Sequence, residues 1–216
     1  MKSKIHKSIN LKNNMMSKST NKIAIVAFSA AMIFTNVKGQ NTSWNLDKSH
    51  SSVGFSVEHM TVSEVQGRFN EISATIKSDK PDFTDVKGEI TMQVSSIDTK
   101  EAKRDAHLKS PDFFDAEKYP TIKFEIVQFK KIKDKEYKVV GNLTMHGVTR
   151  SVTLVGKFAG IVKDPYGMTR TGIKVSGEID RYDFGLKYNA AMEAGGLVIG
   201  QKITITCNIE LTQAKP

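Results

Sequence analysis

From residue 52 onward the chain alternates apolar and polar residues with a period of two. Strands with one covered face require that alternation, because successive side chains point to opposite sides of a sheet. In "SVGFSVEHM" Val53, Phe55 and Val57 share a face, and in "GEITMQV" Ile90, Met92 and Val94 do. Ile122, Phe124 and Ile126 alternate with Lys123 and Glu125, and Tyr137, Val139, Gly141, Leu143 and Met145 fall on one side of "YKVVGNLTM". Ile203, Ile205, Cys207 and Ile209 repeat the pattern near the end. The pattern predicts about eight antiparallel strands, at roughly 52–60, 65–77, 87–98, 121–132, 136–146, 149–161, 169–183 and 201–212, with Trp44–Asp47 opening the first. Turn chemistry separates them: Asp164-Pro165-Tyr166-Gly167 suits a type I turn, Lys133–Glu136 a hairpin, and His146-Gly147 a tight turn.

Many one-sided strands must bury that side in a sandwich or a closed barrel. Several patterns run well past the usual five or six residues. A 12-residue strand spans ~40 Å at about 3.3 Å per residue. Tilted in a barrel, it still gives ~30 Å of height. About eight strands enclose an interior that side chains fill or that holds one small ligand. A tall barrel favours a long, thin ligand over a compact one. The fold class expected is all-β with a short helical insertion, as an elongated antiparallel eight-stranded barrel.

The insertion is "KRDAHLKSPDFFDAEKYP", 103–120, which breaks the alternation. Asp98 with Glu101 three residues later reads as a capping box, so Thr99–Lys109 is expected as helix. Pro111 stops it, and Ser110-Pro111 opens a second short turn. A helix there covers one mouth of a barrel, with Phe113 and Phe114 facing the lumen.

Charge adds little. The formal net charge is +9, but residues 1–39 hold seven lysines and no acid; without them 25 basic and 23 acidic residues remain, a net of +2. Nucleic-acid binding is not expected, because a basic footprint belongs on the folded part. Six of those lysines, the last of them Lys22, precede the apolar run Ile23–Phe34, and Gly39-Gln40 offers a cleavage point. Residues 1–39 therefore read as a cleaved signal peptide, 40–216 as one domain, and the location as periplasmic or secreted. The run is 12 residues, short of the ~20 that span a membrane. Cys207 is the single cysteine, so no internal disulfide forms, and the alternation assigns it to the core.

Several ordered motifs carry a family resemblance. "RDAHLKSPDFFDAEKYP" (104–120), "LDKSHSSVGFSVEHMTVSEVQGRF" (46–69), "GNLTMHGVTRSVTL" (141–154), "GEIDRYDFGL" (177–186) and "IGQKITITCNIEL" (199–211) resemble the YceI-like family of exported lipid-binding proteins. Gln201 stands where that family commonly has an Asp. The resemblance implies a lipocalin-like barrel with an amphiphile along its axis, a polyprenyl phosphate, an isoprenoid quinone or a fatty-acid derivative. It also implies carriage or sequestration outside the cytoplasm, a link to stress survival, and membrane quinone-linked partners. Nothing in the sequence decides between monomer and homodimer.

A lumen that buries a lipid chain needs no catalytic residue and no cofactor. Its expected wall includes Phe55, Phe69, Met92, Phe113, Phe124, Met145 and Phe184, each equally readable as core. Arg104, Asp105 and His107 from the insertion, and Arg181 and Asp183 from a strand end, are candidates for a head-group site. Arginine or protonated histidine suits phosphate, and neutral histidine can hydrogen-bond a quinone carbonyl. The competing reading pairs these acids and bases with each other. The same residues also fit a fatty-acid or fatty-amide ligand, an enzyme using His107 with Asp105 or Asp183, or a dry-cored interaction module. His50, His59, His107 and His146 lack zinc-motif spacing, so no metal is expected.

Overall fold

The computed structural model describes residues 42–191 and 197–215; the leader expected at 1–39 lies outside the described residues. Eleven strands form one antiparallel sheet: β1 Ser43–Leu46, β2 Ser52–His59, β3 Ser63–Phe69, β4 Ile72–Lys77, β5 Lys87–Gln93, β6 Ile97–Asp98, β7 Thr121–Lys133, β8 Glu136–Met145, β9 Val148–Lys163, β10 Thr169–Asp180 and β11 Ile199–Gln213. The order is β1-β4-β5-β7-β8-β9-β10-β11, and β11 returns to β1, closing an eight-membered ring. The remaining strands extend its first three staves. β11 pairs with β1 through Leu211–Gln213 and with β2 through Ile199–Asn208. β3 and β6 extend β4 and β5 in the same way. The molecule is thus a closed eight-stranded barrel with three bent staves.

The bends correct two expected strands, 65–77 and 87–98. The first is interrupted at Asn70-Glu71, the second by a 3-10 turn at Val94–Ser96. The breaks lie side by side and satisfy each other's backbone. Asn70 N donates to Ser96 O, Glu71 N to Ser96 Oγ, and Gln93 N to Glu71 O. A third correction concerns 169–183, where β10 stops at Asp180. The Asp180 carboxylate accepts from Tyr182 N and caps a 3-10 turn, Arg181–Phe184, that ends at left-handed Gly185 (φ 79°). Arg181, Asp183 and Phe184 sit on that turn rather than on a strand.

The two ends of the barrel differ. At the floor the 78–86 loop folds inward and buries Phe83 completely, at 0% exposure. Asp85 holds the loop by accepting from Ser78 Oγ and from the backbone of Asp79 and Lys80. Burial opposes the charge on Asp85, but these hydrogen bonds outweigh it and hold its carboxyl below the usual range. Phe83 packs on Trp44 at 4.9 Å and on Phe158 at 5.1 Å between ring centroids, and Phe129 stacks on Tyr137 at 4.4 Å. A bulge in β7 between Ile126 and Gln128 makes this possible. It turns Val127 outward and shifts the inward parity, so Phe129 joins the floor.

The other end carries α1, Ala102–Lys109. Its cap is not Asp98, as the capping-box reading expects, but Glu101, whose carboxylate accepts from Lys103 N and Arg104 N. Lys100 in the left-handed region (φ 65°) turns the chain between them, and Asp98 stays on β6. There it accepts from Lys100 N, the largest of the effects that lower its carboxyl pKa to about 2. After the helix, Ser110 O accepts from Phe113 N, and the turn directs Phe113 and Phe114 inward.

Candidate functional site: an apolar lumen below the helical end

Below α1 the barrel is hollow. The cavity measures about 170 Å³, larger than the ~150 Å³ apolar cavity that stays dry and admits benzene. Its wall on β11 runs from Ile199 to Ile209. The ten steps between them cover ~33 Å of strand at about 3.3 Å each. Tilted by about 40°, that is ~25 Å along the axis. A volume this small over that length is a narrow channel, suited to one extended chain.

The wall shows the same division by exposure. Phe55, Ile90, Phe124, Val152, Val175, Ile203, Ile205 and Cys207 point inward yet stay only half-buried, because they face the cavity. Floor residues of the same parity, such as Tyr137, Val139 and Phe158, are fully buried. Two glycines set the wall's aromatic rings. A Cβ on Gly67 would stand 2.4 Å from Phe55 Cζ, and one on Gly141 2.2 Å from Phe124 Cζ. Each ring takes the space that a side chain on its glycine would fill.

Arg181 is the only charged residue of the wall among the described residues. It is 3% exposed and has no carboxylate within ion-pair distance among the described residues. Backbone carbonyls surround it: Nε donates to Gly200 O, Nη1 to Leu186 O and Tyr188 O, and Nη2 to Ile199 O. The guanidinium also lies 4.7 Å from the Tyr182 ring. Burial lowers its pKa, but an arginine stays charged at any physiological pH. The fold therefore buries one positive charge in the wall at the helical end, its guanidinium turned onto backbone carbonyls behind a lining whose accessible surface is apolar.

Of the ten site residues expected from sequence, Phe55, Phe69, Met92, Phe113, Phe124, Met145 and Arg181 line the cavity. Phe184, Arg104 and His107 do not. Phe184 is packed in the core, and its carbonyl accepts from His146 Nδ1. Arg104 donates to Thr99 Oγ1 and Thr99 O, and Asp105 accepts from Thr99 N and Oγ1, so both tie the helix to the end of β6. His107 Nε2 donates to Asp112, and its ring meets Phe113 at 5.0 Å and Tyr188 at 4.8 Å. The acid–base pairs of His107 with Asp105 or Asp183 are not assembled. Sequence reasoning missed the half-buried aliphatic wall of β9–β11, although its parity was on view.

Asp47, His50 and Glu210 come close enough together to suggest a metal site. A cation already fills that role: Arg170 Nη1 lies 2.8 Å from Asp47 and 2.7 Å from Glu210, and its Nε donates to Asp164. The group is a structural ion network on the outer wall, and none of its members lines the cavity.

Cys207 packs against the core, as the alternation assigns it, and also lines the cavity. Desolvation pushes its thiol up to about 12. At pH 8 its thiolate fraction is then ~10⁻⁴, against about a fifth for a free thiol of pKa ~8.5. Alkylation by iodoacetamide is expected to run about a thousandfold slower in the native protein than in urea. Intact-mass time courses in the two conditions measure that ratio, and equal rates would contradict this placement.

Comparison with known proteins agrees with this architecture. The YceI-like domain family matches residues 44–211. The UPF0312 protein SA2479 of Staphylococcus aureus (strain N315) is 37% identical over 172 residues, covering 79% of this chain and 98% of that protein. The crystal structure of the Campylobacter jejuni YCEI protein superimposes with a TM-score of 0.64 at 30% identity, over 79% of this chain and 97% of that one. A structure described as a polyisoprenoid binding domain from Saccharophagus degradans shares the fold, with a TM-score of 0.59 at 15% identity over 80% and 99% of the two chains. With its barrel, its capping insertion and a match across nearly all the described residues, the chain belongs to the YceI-like family.

Proposed function

We propose that the protein is a non-catalytic carrier that holds a long-chain isoprenoid lipid in the lumen, tail toward the aromatic floor and head group toward Arg181. The observation that carries this reading is the narrow channel of half-buried apolar side chains, with the buried Arg181 in its wall at the helical end. Burying each methylene in such a wall contributes ~0.8 kcal/mol. Ten of them give ~8 kcal/mol before the cost of ordering the ligand. Among the described residues the wall's one nucleophile is the Cys207 thiol, which burial keeps protonated. The fold shared with a polyisoprenoid binding domain supports the ligand class. Arg181 favours an anionic or carbonyl-bearing head group. The lysine-rich leader with its apolar run supports export as the setting.

Thermal unfolding of lipid-stripped protein tests this. A polyprenyl phosphate at a hundred times its Kd stabilises by ~2.7 kcal/mol. For a domain of this size that is a Tm rise of about 5–10 °C. An isoprenoid quinone and a long-chain fatty amide, run in parallel, rank the head groups. A Tm that none of the three moves would contradict the carrier reading.

A further inference from the structure

The apolar surface does not stop at the lumen. At the helical end the β2–β3 turn exposes Met60 (41%) and Val62 (81%), and the chain on either side of 192–196 exposes Tyr188 (41%) and Leu197 (45%). These side chains belong to one rim. Met60 N donates to Val198 O, and the next residue, Ile199, lines the cavity. Tyr188 packs on Phe113 at 5.0 Å between ring centroids, and Phe113 also lines the cavity. The turn reaches outward at a conformational cost: Met60 (φ 55°) and Thr61 (φ 60°) adopt the left-handed backbone that glycine takes freely.

Charge on the rim is divided. Lys103, Lys109 and Lys187 have no ion-pair partner among the described residues. Three acids near the helix are engaged internally, Glu101 as helix cap, Asp105 by Thr99 and Asp112 by His107, whereas Asp115 and Glu117 have no ion-pair partner among the described residues. Glu58 and Glu64 face each other on β2 and β3, set back by two residues from the turn's tip.

We propose that this rim is a membrane-docking surface, seating the helical end on a lipid bilayer so that lipid passes between the bilayer and the lumen there. Apolar tips on a rim that also carries lysines, Lys103 and Lys109 on α1 and Lys187 beside Tyr188, suit the boundary between head groups and acyl chains. Continuity from the tips to the channel gives a lipid chain a path that avoids water. A second exposed apolar group, Val162, Tyr166 and Met168 around the β9–β10 turn, stands beyond the packed floor and has no such path. The proposal rests on the carrier reading, and its test separates the two.

Mature wild type, a Met60→Asp/Val62→Asp/Leu197→Asp variant and a Tyr166→Asp control are mixed with vesicles of phosphatidylcholine containing phosphatidylglycerol and a polyprenyl phosphate. Co-sedimentation and the rate of lipid uptake into the protein are measured. Each protein is also loaded with the same lipid from ethanol, without vesicles. The triple variant is expected to lose vesicle binding and to take up vesicle lipid at least about tenfold more slowly. It is expected to load from ethanol as fully as wild type, and the control to match wild type throughout. A triple variant that binds vesicles and extracts lipid normally would overturn the docking surface alone. A wild type that loads by neither route would overturn the carrier reading beneath it.

Discussion

Arg181→Met is expected to destabilise the protein by about 3–5 kcal/mol, because it strands backbone carbonyls that the guanidinium satisfies. At about 2–4 °C per kcal/mol for a domain of this size, Tm falls by roughly 10 °C. Methionine fills most of the volume, so the loss reports hydrogen bonds rather than a void. Arg181→Lys keeps the charge but has neither the planar fork nor the donor count, so it recovers less than half of the loss. The same variants test the head-group role, with binding measured below the lowered Tm. In wild type a polyprenyl phosphate binds more tightly than the matching prenyl alcohol; in Arg181→Met that preference disappears. A Tm within about 2 °C of wild type would show that the carbonyls are satisfied in some other way.

The floor and the lumen are expected to respond oppositely to a change of volume. Phe83→Ala empties a site with no exposure and rings on either side, and costs about 3–5 kcal/mol. Val175→Phe adds volume to a wall position that faces the cavity. In a packed core such overfilling costs ~1–3 kcal/mol. Here it is expected to leave the lipid-free stability unchanged or improved, and to weaken prenyl-lipid binding at least about a hundredfold by narrowing a channel one chain wide. Urea unfolding of the stripped proteins and a lipid titration measure both. If Val175→Phe destabilises as an ordinary core substitution does, the upper half is packed and the dry-cored module regains its ground.

Alternation was enough to lay out the barrel because each stave obeys one rule, apolar side inward, between its bulges and bends. Tyr137, Val139, Gly141, Leu143 and Met145 all turned out to face the interior. Alternation says nothing about what the interior contains. Val139 and Ile205 obey the same rule, yet one is sealed in the floor and the other faces a channel. What separates them is Phe83, a loop residue outside any strand pattern, together with the bulge at Val127 that swings Phe129 into line. The capping box at Asp98 was misleading for a local reason, the left-handed Lys100 that hands the cap to Glu101. Arg181 was legible as a charged residue near the lumen. Its partners were not, because backbone carbonyls have no sequence signature.

Native mass spectrometry of the mature protein, isolated without detergent and followed by organic extraction, tests the central claim most directly. The account predicts a single adduct per barrel that extracts as a prenyl lipid, and whose mass identifies the head group beside Arg181. A clean apo mass that stays apo after exposure to polyprenyl phosphate, isoprenoid quinone and fatty amide would contradict it.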